Sequence, residues 1–162
     1  MTARIIDGKA VAQTIQDRVK KDAEVLRSKH GLTAGLAAVL IGDNPASKTY
    51  VGMKNKMCQE LGMASVGRTL PQDISQADAM KVVQELAADP KVHGILVQLP
   101  LPGHLDTESI LGAVPIEKDI DGFHPINIGD KFAGLYAQER IMGLGILLFE
   151  IMAIISGNQR KA

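Results

Sequence analysis

The chain of 162 residues has no tryptophan, two tyrosines and three phenylalanines. Aromatic platforms for stacking nucleic-acid bases are therefore excluded as a main recognition device. It has a single cysteine, Cys58, so no internal disulfide framework can form, and a reducing compartment, the cytoplasm, is expected. It lacks an excess of either charge: Lys+Arg is 18 and Asp+Glu is 18. That balance speaks against a nucleic-acid or anionic-membrane partner. No apolar run reaches the roughly 20 residues that a membrane-spanning helix needs. The start, Met1-Thr-Ala-Arg-Ile-Ile-Asp7, has no apolar centre like that of a signal peptide.

What is present is a chain that is 46% apolar, enough for one domain with a proper core. Residues 9–30 read as a long helix, with Val11, Ile15, Val19, Ala23 and Leu26 recurring at spacings of three or four and Gly31 as the stop. Residues 35–41 form an apolar run that fits a strand buried on both faces. A turn cluster, Gly42-Asp-Asn-Pro45, leads into a second helix over 47–61, stopped by Gly62. Residues 64–70 alternate weakly and read as a second strand. Ser75-Gln-Ala-Asp78 resembles a capping box that opens a helix ending near Asp89-Pro90, with Met80, Val83, Leu86 and Ala87 facing inward. Residues 94–99 read as a third strand and 107–113 as a short helix. Strands alternating with helices predict an α/β fold: a three-layer, open, mainly parallel sheet with helices on both faces. Residues 141–155 are apolar nearly all round, with Glu150 as the only charge. They predict a connecting helix that packs on a neighbour or mediates self-association.

Three segments could carry chemistry. In Gly94-Ile-Leu-Val-Gln-Leu-Pro-Leu-Pro-Gly103, a buried strand delivers Gln98 to its carboxyl end, where open α/β sheets build ligand crevices. A glutamine there must be hydrogen-bonded, either to tie down the proline loop or to serve a site. In Ser47-Lys-Thr-Tyr-Val-Gly-Met-Lys54, Tyr50 and Lys54 are four apart and share one helix face. A phenol beside an ammonium can steer protons, although a lone pair of this kind is more often a solvated face. In Pro115-Ile-Glu-Lys-Asp-Ile-Asp-Gly-Phe-His124, Asp119 and Asp121 flank Ile120, and only one of the two need face a pocket. Turn carboxylates of this type often bond their own backbone. Glu117 and Asp119 lack the spacing of a calcium loop, and His30, His93, His104 and His124 lack that of a zinc site, so no metal is expected. Ser47 lacks a nucleophile-elbow context, and Met53, Met57 and Cys58 read as core packing. Tyr-x-x-x-Lys also occurs in short-chain dehydrogenases, but the glycine turn that family needs after its first strand is missing, and Gly143-Leu-Gly145 has no third glycine.

Taken in order, these motifs closely resemble the bifunctional methylenetetrahydrofolate dehydrogenase/methenyltetrahydrofolate cyclohydrolase family. The resemblance covers roughly residues 1–129 and rests on Gly42-Asp-Asn-Pro-Ala-Ser47, Tyr50-Val51, Lys54, Cys58, Gly62, the Gln98 strand and Lys118-Asp-Ile-Asp-Gly122. It implies one-carbon folate metabolism serving purine biosynthesis. The reactions would be NADP-dependent oxidation of 5,10-methylenetetrahydrofolate and hydrolysis of the methenyl form to 10-formyltetrahydrofolate. It implies that Lys54 is the catalytic lysine, that Tyr50 packs against the folate, that Gln98 tunes the lysine, and that Asp121 grips the pterin edge. Ser47, Leu99 and Pro100 would line the substrate.

The resemblance implies two parts here: a folate-binding catalytic domain over 1–129, and a diverged connecting segment over 130–162. Family members continue into a dinucleotide-binding domain that this sequence does not contain. Where the family has a proline-cysteine-threonine-proline run, this chain has Gln138-Glu-Arg-Ile-Met-Gly143. A truncated gene product or a frame change near Gly129 would account for both. The isolated chain is therefore expected to bind NADP poorly and to show weakened activity. The alternative is a non-catalytic remnant that binds folate or pairs with a full-length homologue.

Overall fold

The structure, a computed structural model, describes residues 7–132. The apolar stretch 141–155 and the connecting segment 138–143 lie outside the described residues. Helix α1 (Gly8–His30) opens under an Asp7 cap that accepts from the Lys9 and Ala10 amides, and it closes at Gly31, whose φ of 65° is left-handed. Strand β1 (Gly35–Ile41) is buried at all seven positions. Helix α2 (Pro45–Glu60) follows. Asn44 caps it and Pro45 sits in its first turn, where a missing N–H costs nothing. Then come β2 (Ala64–Ser65), β3 (Arg68–Leu70), α3 (Gln76–Ala88), β4 (Gly94–Val97), α4 (Thr107–Gly112), a 3-10 turn (Ile116–Lys118) and α5 (Pro125–Phe132).

Every strand pairing is parallel. The single strand expected over 64–70 is two short pieces that keep one register along the same edge of β1. Val66 still donates to the Leu36 carbonyl at 2.8 Å, so the interruption falls at Gly67, which has no side chain to pack. Strand β4 flanks β1 on the other side, with Val39 opposite Val97. It ends two residues earlier than the periodicity suggests, because Pro100 cannot extend the ladder.

The alternation of β1 builds the three layers. Leu36, Ala38 and Leu40 join Val19, Ala23, Val51 and Cys58 in one core. Ala37, Val39 and Ile41 join Val83, Leu86 and Ile110 in the other. Thus α1 and α2 cover one face, and α3 and α4 the other. On α3, Ala79 takes a fully buried place, whereas Met80 and Ala87 are only partly buried. The chain leaves β1 toward one face and β4 toward the other. Adjacent strands whose connections diverge open a crevice at their carboxyl ends.

Candidate active site

Helix α2 buries Ser47, Val51, Lys54 and Cys58. These positions are spaced four, three and four apart, one stripe of an α-helix. Lys54 therefore occupies a place in the core pattern, and it is only 2% exposed. The solvated-face reading of Tyr50 and Lys54 is thereby overturned: Lys54 is sunk between α2 and the sheet, and Tyr50 is half-buried against the same core.

The Lys54 ammonium donates to Gln98 Oε1 at 3.2 Å. It also lies 4.1 Å from the centroid of the Tyr50 ring, where a cation is attracted to the negative ring face. Gln98 is held from both sides. Its backbone N–H donates to the Val39 carbonyl at 2.8 Å, and its side-chain Nε2 donates to the Leu99 carbonyl at 2.7 Å. With Nε2 so engaged, Oε1 must face the lysine. The bond from Leu99 to Pro100 is cis.

Burial lowers the Lys54 pKa from its ordinary 10.5 to about 8, against the opposing pull of the Asp121 charge and, more weakly, the Cys58 thiol. Desolvation wins because an ammonium with little water around it loses more than one nearby carboxylate restores. At pH 7 about one molecule in ten then carries the neutral amine, against fewer than about one in a thousand for a solvated lysine. Such a group can both take and return a proton near neutrality. Cys58, with no exposed surface, is pushed the other way, to about 11, again by burial first.

The structure thus brings together Lys54, Tyr50 and Gln98 by direct contact, with Asp121 within electrostatic reach. Ser47 is buried on the same stripe one turn before Val51, its amide bonded to the Asn44 cap at 3.1 Å. Leu99 and Pro100 sit at the mouth of β4. Of the two aspartates that flank Ile120, the Asp119 carboxylate is taken up by the Gly122 and His124 amides and by Asn127. Sequence reasoning missed Asn127, and it named Lys118 and His93 without the structural parts they play. Asn127 is buried at this turn. Lys118 donates to the Ala87 and Asp89 carbonyls, sealing the carboxyl end of α3. His93 Nδ1 accepts from the Gly35 amide at 3.0 Å. The four-three-four spacing of the α2 stripe was the signal that could have placed Lys54 in the core.

Among the described residues no cluster could hold a metal ion, and no helix is long and apolar enough to cross a membrane. A dinucleotide pyrophosphate needs free backbone amides at a helix start. Here the first turn of α2 contributes a proline and has its Ser47 amide taken by Asn44. The first turn of α2 therefore does not offer that cradle.

Residues 6–121 match the catalytic domain of tetrahydrofolate dehydrogenase/cyclohydrolase. The chain belongs to this family. The bifunctional protein FolD of Rhodopseudomonas palustris (strain BisB5) is 47% identical over 148 residues, 91% of this chain and 50% of that relative. FolD 2 of Arabidopsis thaliana is 52% identical over 128 residues, 79% of this chain and 43% of that relative. The crystal structure of the Campylobacter jejuni bifunctional FolD, a methylenetetrahydrofolate dehydrogenase/cyclohydrolase, superposes with a TM-score of 0.79 at 40% identity, covering 94% of this chain and 52% of that one. The chain spans about half the length of the relatives it matches. An alignment of 148 residues necessarily runs past Gly129, so the likeness to FolD proteins extends beyond the motifs read from the sequence.

Proposed function

We propose that this chain carries the folate side of a methylenetetrahydrofolate dehydrogenase/methenyltetrahydrofolate cyclohydrolase site, with Lys54 as its proton-carrying group. The observation that supports this best is a buried lysine, its pKa near 8, held by an oriented amide at the carboxyl end of a parallel sheet. In the hydrolysis of 5,10-methenyltetrahydrofolate, water adds to the carbon between N5 and N10. The neutral Lys54 amine takes the proton that this water sheds. The resulting ammonium returns a proton to N5 as the bond from that carbon to N5 breaks, and the hydroxyl proton of the adduct passes to solvent as the formyl C=O forms, leaving 10-formyltetrahydrofolate. Gln98 Oε1 orients the amine for both transfers. Tyr50, Ser47, Leu99 and Pro100 line the folate, and Asp121 accepts hydrogen bonds from the donor edge of the pterin.

The companion reaction, oxidation of 5,10-methylenetetrahydrofolate with NADP, is proposed for the site by kinship. A Trypanosoma brucei relative, 34% identical with a TM-score of 0.76, covering 80% of this chain and 44% of that one, was solved with NADP cofactor and inhibitor. NADP supplies the hydride acceptor, and residues 7–132 hold the substrate rather than the dinucleotide. The domain reading of a folate-binding unit over 1–129 belongs to this proposal, as do a place in purine biosynthesis, a cytoplasmic setting and self-association through residues 141–155.

The test is hydrolysis of 5,10-methenyltetrahydrofolate by the 162-residue chain, followed by its ultraviolet absorbance, with Lys54→Met beside it. Hydrolysis above the buffer rate that Lys54→Met abolishes supports the proposal. Tight folate binding without turnover would assign the non-catalytic reading instead. A rate unchanged in Lys54→Met would overturn the role of the lysine.

A further inference from the structure

One polar hub beside the site is not used by the chemistry above: the Asp119 carboxylate. Its Oδ1 accepts from the Gly122 amide at 3.0 Å, and its Oδ2 from the His124 amide at 2.8 Å and from Asn127 Nδ2 at 2.9 Å. Asn127 spends its second amide hydrogen on the Ile116 carbonyl at 3.1 Å and is itself buried. The backbone at Asp119 pairs with Ile95 of β4 in an isolated parallel bridge. Asp121 lies inside the turn so closed, next to Gly122, whose φ of 65° only a residue without Cβ adopts easily.

We propose that Asp119 and Asn127 are a positioning pair that fixes the Asp121 carboxylate relative to Lys54. Two arms of the site then hang from one strand: Gln98 follows β4 directly, and the Asp121 turn is tied to Ile95 three residues earlier. Two carboxylates with different tasks follow. Asp119 faces inward onto backbone amides and Asn127, whereas Asp121 supplies the charge that Lys54 feels. The groups facing Lys54 are Tyr50 and Cys58 from its own helix, Gln98 from β4 and Asp121 from the turn. Of these, the turn is the one whose geometry depends on a side chain elsewhere. The inference rests on the proposed role of Lys54 for its functional meaning, but not for its measurement.

The experiment is an NMR titration of the Lys54 side chain in the full chain. Releasing Asp121 removes a charge that holds the ammonium form. Asp119→Asn should therefore lower the Lys54 pKa by about 0.5 pH unit, in the same direction as Asp121→Asn. The double variant should move it no further than Asp121→Asn alone. Asn127→Ala keeps every charge and should shift it the same way by less, and it decides the matter if Asp119→Asn does not fold. An unmoved Lys54 titration in a destabilised variant would make the pair merely structural, and additive shifts in the double variant would make Asp119 a direct charge effect. Either outcome overturns the proposal. Failure of the wild-type chain to hydrolyse methenyltetrahydrofolate would sink the function of Lys54 and leave this titration readable.

Discussion

Lys54 and Gln98, 44 residues apart in sequence, meet at 3.2 Å because α2 and β4 both flank β1. The helix supplies a cation where its core stripe would otherwise continue apolar. The strand supplies an acceptor at the first position past its ladder. Neither partner alone makes a site. A buried ammonium without an acceptor would be costly, and a glutamine at a strand end is ordinary. The pair converts a stability liability into a group that titrates near neutrality.

Replacing Lys54 should separate stability from function. The folded pKa, about 8, lies below the ordinary 10.5, so the unfolded chain binds more protons than the folded one between those values. The burden on folding is full below pH 8 and lifts as pH rises toward 10.5. It is on the order of 3 kcal/mol at neutral pH. Lys54→Met should therefore raise the unfolding free energy at pH 7 by about 1–2 kcal/mol, less than the whole burden because Gln98 and Asp121 lose a partner. Urea unfolding at pH 7 and pH 10 checks this, and the difference between variant and wild type should shrink at the higher pH.

Cys58 works in the opposite sense. Its pKa is raised from 9.0 to about 11, so the folded state favours the thiol. That stabilisation is complete below pH 9 and lost as pH climbs through 11. At neutral pH the buried thiol should resist alkylation. Native chain treated with iodoacetamide at pH 7.5 should stay unmodified while urea-unfolded chain reacts fully, as read by mass spectrometry.

Gln98→Glu places a carboxylate against the ammonium. The Lys54 pKa should rise by about one unit or more. If Lys54 is the base, hydrolysis at pH 7 should fall roughly tenfold and recover at higher pH. The pH–rate profile of the variant, displaced toward alkaline pH with its plateau retained, is the expected result. A uniform loss at every pH would assign Gln98 to substrate binding instead.

Gly35 tests the frame of the sheet. A Cβ there would stand 2.0 Å from the Lys91 carbonyl oxygen, a backbone atom that cannot swing aside. The Gly35 amide and carbonyl are also both bonded to His93. Gly35→Ala should cost about 2–4 kcal/mol, well beyond an ordinary surface change. Thermal unfolding of the variant is the measurement, and a melting temperature within a degree of wild type would mean that the β1–β4 entry is looser than described.

Much of the architecture was legible because its causes are local. The 3.6-residue period of α1, the unbroken apolar run of β1, the turn cluster at Gly42–Pro45 and the glycine stops at Gly31 and Gly62 act over a few residues, although α2 begins at Pro45, two residues before the expected Ser47. They determined which elements form, and the order of motifs determined the family. The broken edge strand at 64–70 was not legible, since pairing with β1 decides where two weak pieces count as strand. The same holds for the site. Spacing put Tyr50 and Lys54 on one face but could not say whether that face meets water or core. It named Asp119 and Asp121 but could not divide their labour. Those choices belong to tertiary structure, because a side chain's charge state and partners depend on what distant segments exclude: α2 against the sheet removes water from Lys54, and the turn closed by Asn127 takes Asp119 out of competition with Asp121.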